Sequence, residues 1–281
     1  MNPRSVRLLR SPLVLLGGGI VVVLVIVAVL APLLSPYDPQ GLSGSSLEPP
    51  SADHPLGTNH LGQDILSEII WGTRTSLGVG SAAATLAVSL GVLVGVAAGL
   101  MGGVADTLAT RVVDVFLALP RLPLLLVVAA LVGSSRVKVA ILIGLVIWPV
   151  IARYVRSQAL TLRQRGFVDA ARGFGGGFLY VMRRHLVPAV APLIVAGFVA
   201  VTANAMLLEA GLAFLGLGDP SGVSWGLMLN EALAQPGLYF TPAWTWSVLP
   251  AGFAISLAVL GFTFLGVGLE PALNPRWRRG L

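Results

Sequence analysis

Few side chains in this sequence can carry chemistry, and that scarcity is informative. Without any cysteine, the chain has no disulfide, thiolate metal site or thiol nucleophile. Imidazole comes only from His54, His60 and His185. His54 and His60 lie six residues apart with Asp64 close behind, a spacing that could offer two nitrogens and an oxygen to a metal ion. Pro55 interrupts the stretch, however, and two imidazoles are a thin ligand set, so we expect no metal. No Gly-x-x-x-x-Gly-Lys-Ser/Thr run is present, so the chain cannot hydrolyse ATP through a phosphate loop of that kind. No Ser/His/Asp arrangement or carboxylate pair suits catalysis, and we expect the chain not to be an enzyme. One acid stands out by its surroundings. Glu209 sits in a long apolar run, where an ionisable group costs about 2.5 to 3.5 kcal/mol and must face protein or water. Two roles fit it: lining a solute pathway, or hydrogen-bonding a neighbouring helix as an anchor.

The elements that must position these groups are membrane spans. Of the 281 residues, 56% are hydrophobic and 11% are charged, less than half the roughly 25% charge of a soluble domain. A span needs about 20 apolar residues, and the first runs over Pro12 to Leu34 behind Arg4, Arg7 and Arg10. A signal peptide has a shorter apolar run and a small-residue cleavage site, so we read an uncleaved anchor with its amino end inside. From Ser35 to Trp71 the chain is polar and rich in Pro, Gly and Ser, with a short amphipathic stretch around Asp64 to Ile70. This reads as an external segment.

Five more spans follow at about Ser76 to Leu100, Val112 to Leu131, Val137 to Ala159, Pro188 to Leu215 and Trp246 to Leu269. The expectation is an all-α membrane protein with six transmembrane helices and both ends inside. Residues 1–75 would form an anchor plus external segment, and residues 76–281 a five-helix core with a cytoplasmic loop at 153–188. The basic residues test this independently. Of the 18, 14 fall on segments placed inside; Arg74, Arg136 and Lys138 fall outside, and Arg121 opens the third span. That bias obeys the positive-inside rule, and it assigns the net charge of +6 to membrane headgroups rather than nucleic acid.

Within the 153–188 loop, Asp169-Ala170-Ala171-Arg172-Gly173-Phe174-Gly175 is followed by His185-Leu186-Val187-Pro188. This reads as a short helix, a turn permitted by Gly175 to Gly177, and a second helical stretch entering the membrane at Pro188. The two alanines leave a shallow face on which another protein can sit, although an Arg-rich loop can also simply lie on the membrane surface. Gly91, Gly95 and Gly99 repeat at four-residue spacing, which lets helix backbones approach closely. Arg111 and Asp114 share a helical face and predict a local ion pair. Pro149 predicts a kink after Trp148.

On these residues the chain resembles the inner-membrane permease subunits of binding-protein-dependent ABC importers, of the dipeptide and oligopeptide C-subunit type. That family carries Glu-Ala-Ala, three residues, Gly, nine residues, then an apolar residue, one further residue and Leu-Pro. Here Asp169 stands for Glu, Val187 for Leu, and His185 for the apolar residue. His54-Pro55-Leu56-Gly57-Thr58-Asn59 and Leu61-Gly62-Gln63-Asp64 resemble the signature after the family's first span, with Asn59 replacing the usual Asp, Gln63 the usual Arg and Glu68 a common Arg.

The resemblance implies half of a heterodimeric permease in the bacterial inner membrane. Its expected partners are a B-type permease subunit, two cytosolic ATPase subunits that hold ATP and magnesium, and an extracytoplasmic binding protein. Asp169, Ala170, Ala171, Gly175, His185 and Pro188 would form the ATPase-coupling segment; His54, Gly57, Gln63 and Asp64 would face the binding protein; Glu209 and Trp148 would line the pathway. The implied solute is a di- or oligopeptide, with nickel or glutathione as alternatives within the branch. An ATP-independent secondary transporter is the competing class, but such proteins show internal repeats around midplane charges, and none is evident here.

Overall fold

The computed structural model describes residues 11–133 and 135–273, and every regular element among them is helical. Arg4, Arg7, Arg10, Asn274, Pro275, Arg276, Arg278 and Arg279 lie outside the described residues.

Helix α1, Pro12–Leu34, starts where the Ser11 hydroxyl accepts the Val14 amide and Pro12 occupies a first-turn position that needs no donor. Helix α2, Ile65–Met101, is 37 residues long. The stretch at Asp64 to Ile70, expected as a separate amphipathic piece, is instead its capped first turns. Asp64 is the N-cap, the helix contains no proline, and it runs unbroken across residue 75 to Gly102 at φ 67°. At 1.5 Å per residue it is about 55 Å long, well beyond the ~30 Å of bilayer hydrocarbon. Its first turns meet the polar segment before it, where Asp64 caps the helix and Glu68 accepts from Asn59.

The third span is corrected. Instead of one helix over Val112 to Leu131, α3 (Gly103–Ala118) and α4 (Arg121–Val132) meet at 87°. Pro120 causes the break: it lacks an N–H, and it forces Leu119 into extended backbone at φ −78°, ψ 135°. Helix α5, Arg136–Arg163, contains Pro149 and continues past it.

Helix contacts decide whether the broken pair counts as a crossing. Along α2, Ala83 lies by Gly144, Gly91 by Ile151, Gly95 by Ala152 and Gly99 by Ala159. Numbers rise together, so α2 and α5 run parallel, and the chain must recross the bundle between them through α3 and α4. Helix α8, Val187–Leu212, runs antiparallel to α2, with Met206 by Gly80 and Glu209 by Ser76. After α9 (Trp225–Leu233) and α10 (Trp244–Ser247), helix α11, Leu249–Leu273, runs antiparallel to α1, with Leu265 by Gly17 and Gly268 by Val14. Six crossings result, and residues 11 and 273 lie at the end of the bundle that carries residues 164–186.

The centre is the α2–α5 pair. A Cβ on Gly95 would sit 2.6 Å from the Ala152 carbonyl oxygen, so the glycine stripe is what allows these backbones to touch. Its partner helix is within this chain. Ile143, Val155 and Leu212 are fully buried around this seam. Two ion pairs fasten α3 to α5: Arg156 grips Asp106 with Nε and Nη2 at 2.5 and 2.7 Å, and Arg153 meets Asp114 at 2.6 Å. The expected Arg111–Asp114 pair is thus corrected, because α5 brings a guanidinium across the helix interface to the same carboxylate. Along α1, Val22, Val29 and Leu33 remain exposed, a surface suited to lipid or another apolar partner.

Candidate functional site

Three regions hold the residues singled out by sequence, and they lie at different heights in the bundle. At the end carrying residues 164–186, helix α6 (Gly166–Gly173) is followed by a turn and by α7 (Phe178–Val181). Phe174 and Gly176 donate amides to the carbonyls of Ala170 and Ala171, and Gly175 adopts φ +84°, a left-handed conformation that favours glycine. A π-helical turn, Met182–Leu186, then feeds into α8, where Pro188 fills a first-turn position.

The loop is rigidly seated. Val168, Val181 and Leu186 are fully buried against the bundle. His185 lies between the rings of Phe167 and Tyr180, with centroids at 5.9 and 5.5 Å, so it clamps α6 to α7. Outward, Asp169, Ala170 and Gly175 are open, and Phe174 is 94% exposed. A bare aromatic beside two small residues makes a knob on a rigid base.

At the opposite end, residues 35–64 fold into a hydrogen-bonded cap over the start of α2. His54 is buried; its Nδ1 lies 3.0 Å from Asp64 Oδ1 and its Nε2 3.3 Å from the Ser43 carbonyl. The other Asp64 oxygen accepts both the Ser67 amide and hydroxyl, at 2.8 and 2.7 Å. Hydrogen bonding to Asp64 holds the His54 pKa above its usual value. Both ring nitrogens face acceptors, which a doubly protonated ring satisfies. Gly57, at φ +74°, donates to His54 O and accepts from Ile65 N. With His54 and Asp64 bound to each other, the His54, His60 and Asp64 spacing does not become a convergent ligand set.

Asn59 explains the departures in this segment. Its amide nitrogen donates to Gln63 at 2.8 Å and to the buried Glu68 at 3.1 Å, while its oxygen accepts from the Leu61 and Gln63 amides. Three substitutions that look independent in sequence are one network.

Between these ends lie the two residues expected along a pathway. Glu209 is 4% exposed and accepts the Ser76 hydroxyl at 3.0 Å, joining α8 to α2. Trp148 is buried, with its ring edge-on to Phe116 at 5.8 Å. Neither lines a cavity of about 1240 Å³ that lies by the cap. That cavity is lined from the end of α1 by Pro32, from the cap by Tyr37 and Asp38, from α2 by Trp71, Arg74 and Gly78, and from the start of α5 by Arg136. Sequence reasoning gave these residues no role in a site. The available signal was Arg74 and Arg136, two guanidiniums on segments where the charge bias expects few.

Residues 91–279 match the family described as binding-protein-dependent transport system inner membrane component, and residues 5–50 match the N-terminal transmembrane domain of oligopeptide transport permease C. The chain is similar to the dipeptide transport system permease protein of Alkalihalophilus pseudofirmus, 35% identical over 275 residues that cover 97% of this chain and 88% of that protein. It is similar too to the glutathione transport system permease protein of Escherichia coli O1:K1, 36% identical over 273 residues that cover 96% of this chain and 88% of that one.

Proposed function

This chain belongs to the inner-membrane components of binding-protein-dependent transport systems, and from that membership we propose that it forms half of an ATP-driven translocation pathway for short peptides. It is a multi-pass inner-membrane permease subunit of an ABC importer. The finer reading is that a related permease subunit completes the pathway, two cytosolic ATPases drive it, and an external binding protein delivers the solute. ATP and magnesium belong to the ATPases.

The observation that carries this reading is the seated loop. A docking element that transmits motion must be stiff, exposed and continuous with a span. α6 meets all three conditions, being pinned by Val168 and His185, topped by Phe174 and joined through α7 and the π-turn to α8. ATP binding brings the ATPases together, the loop moves with them, and the spans turn the cavity outward; hydrolysis resets it. Such coupling requires the ATPases to bind the two states with different affinity, which a rigid knob supplies better than a flexible loop.

Two named relatives transport a dipeptide and glutathione at nearly equal identity. Both solutes are short peptides with free carboxylates, which supports that class over nickel. The buried Ser76–Glu209 contact supports an anchoring role for Glu209. The complex reconstituted in vesicles with its binding protein tests the reading. ATP-dependent accumulation of a di- or tripeptide is expected; accumulation of nickel alone, or peptide flux without ATP, would contradict it.

A further inference from the structure

We propose that the cavity beside the cap receives the carboxylate end of the transported solute, with Arg74 as the residue that binds it. The identity of the solute rests on the importer reading; the anion site itself does not.

Size comes first. Small-molecule sites usually occupy about 300 to 1000 Å³, so a cavity of about 1240 Å³ holds a short peptide together with water. Charge comes next. Of the two guanidiniums that line it, Arg136 is already committed: its Nε lies 3.5 Å from Asp219 Oδ2, and its backbone amide donates to the same oxygen. Asp38 is the carboxylate on the wall, and one of its oxygens is taken by the Gln40 amide. Arg74 makes no ion pair among the described residues. Its guanidinium carbon instead sits 5.6 Å from the centre of the Trp71 ring.

That arrangement suits a planar anion. Stacking on an indole fixes the guanidinium by cation–π attraction without using its N–H donors, and the donor fork that stays free matches a carboxylate in bidentate fashion. Space lies alongside. Gly78, one helical turn beyond Arg74 and on the same face of α2, lines the cavity, and a Cβ built there meets nothing within 4 Å.

The cysteine-free sequence makes a direct test possible in the full complex. Gly78→Cys places the chain's one thiol on the cavity wall, where it can be labelled with methanethiosulfonates carrying either a sulfonate or a trimethylammonium group. Relative to a free thiol, the sulfonate reagent should be favoured. Adding Arg74→Gln should lower the sulfonate-to-ammonium rate ratio about tenfold, the size expected for one charge about 6 Å away in water, whereas Arg74→Lys should preserve it. Trialanine should slow labelling and its C-terminal amide should not.

A ratio indifferent to Arg74→Gln overturns the proposal. Equal protection by acid and amide also overturns it, as does a thiol that reacts in the isolated chain but is silent in the complex, which would mean that the partner subunit fills the cavity. An Arg74-dependent ratio without protection by either peptide supports the anion site and counts against the peptide reading of function.

Discussion

At the scale of the residue, the cap is held by two small networks with different chemistry. In the first, the charged form of His54 is favoured by Asp64 and the Ser43 carbonyl. A raised folded pKa stabilises the cap fully below the unfolded value of about 6.5, and that contribution is lost as pH rises through the higher folded value. Amide protection factors of residues 35–64, taken relative to intrinsic exchange at the same pH, should therefore be higher at pH 6 than at pH 9, and His54→Gln should flatten the dependence. A cap equally protected at both pH values would show that His54 is not charged there.

The second network centres on Asn59. Asn59→Asp alone would set a carboxylate against buried Glu68 where a donor now stands 3.1 Å away, costing about 1 to 3 kcal/mol. Restoring the family pattern with Gln63→Arg and Glu68→Arg should recover most of that loss, because opposite charges then replace the amide bonds. Additive losses in thermal stability across the series would contradict this. These departures were visible in the sequence one by one; that they form one unit was not, because sequence does not show which way an amide points.

At the scale of the element, most of the helices were legible and their joints were less so. The apolar runs located α1, α5, α8 and α11 because each is long and rich in aliphatic side chains. The third span was missed as a break, since hydropathy ignores the backbone constraint that Pro120 places on Leu119. The true start of α2 was missed because its first turns are amphipathic and meet the polar segment before it. The glycine stripe was legible as a packing face; its partner was not, because spacing within one helix carries no information about the other. Gly95→Val tests the packing. With the Ala152 carbonyl 2.6 Å from a Cβ, overpacking should cost about 1 to 3 kcal/mol and lower the melting temperature, and an unchanged melting temperature would mean that the helices can separate.

Of the candidate site, the loop over residues 164–186 was the most readable part. Its helix, turn and entry at Pro188 follow from local rules, namely a glycine at positive φ and a proline in a first turn. Phe174 was not singled out, although it is the most prominent apolar side chain on the loop. Because it touches little within the chain, Phe174→Ala should leave the fold intact while weakening ATPase association about tenfold or more, in the range of a buried aromatic anchor. Undiminished association, measured by titrating ATPase onto the detergent-solubilised permease, would place the docking surface elsewhere.

At the scale of the whole molecule, the bundle is polarised. One end presents a stiff cap and a cavity with a free guanidinium, the other a rigid knob, and α2 and α8 run between them with Glu209 and Ser76 at their contact. Sequence conveyed the two ends through motifs and charge bias, but the cavity needed the fold, because its walls come from α1, α2 and α5, segments far apart in the chain. In the proposed importer this polarity couples a cytosolic motor to an external solute. That coupling is tested most directly by affinity purification of the chain from its native membrane with identification of the proteins that accompany it. A second permease subunit and ATPase subunits in stoichiometric amounts are expected. The chain recovered alone, from a preparation in which other membrane complexes survive, would contradict it.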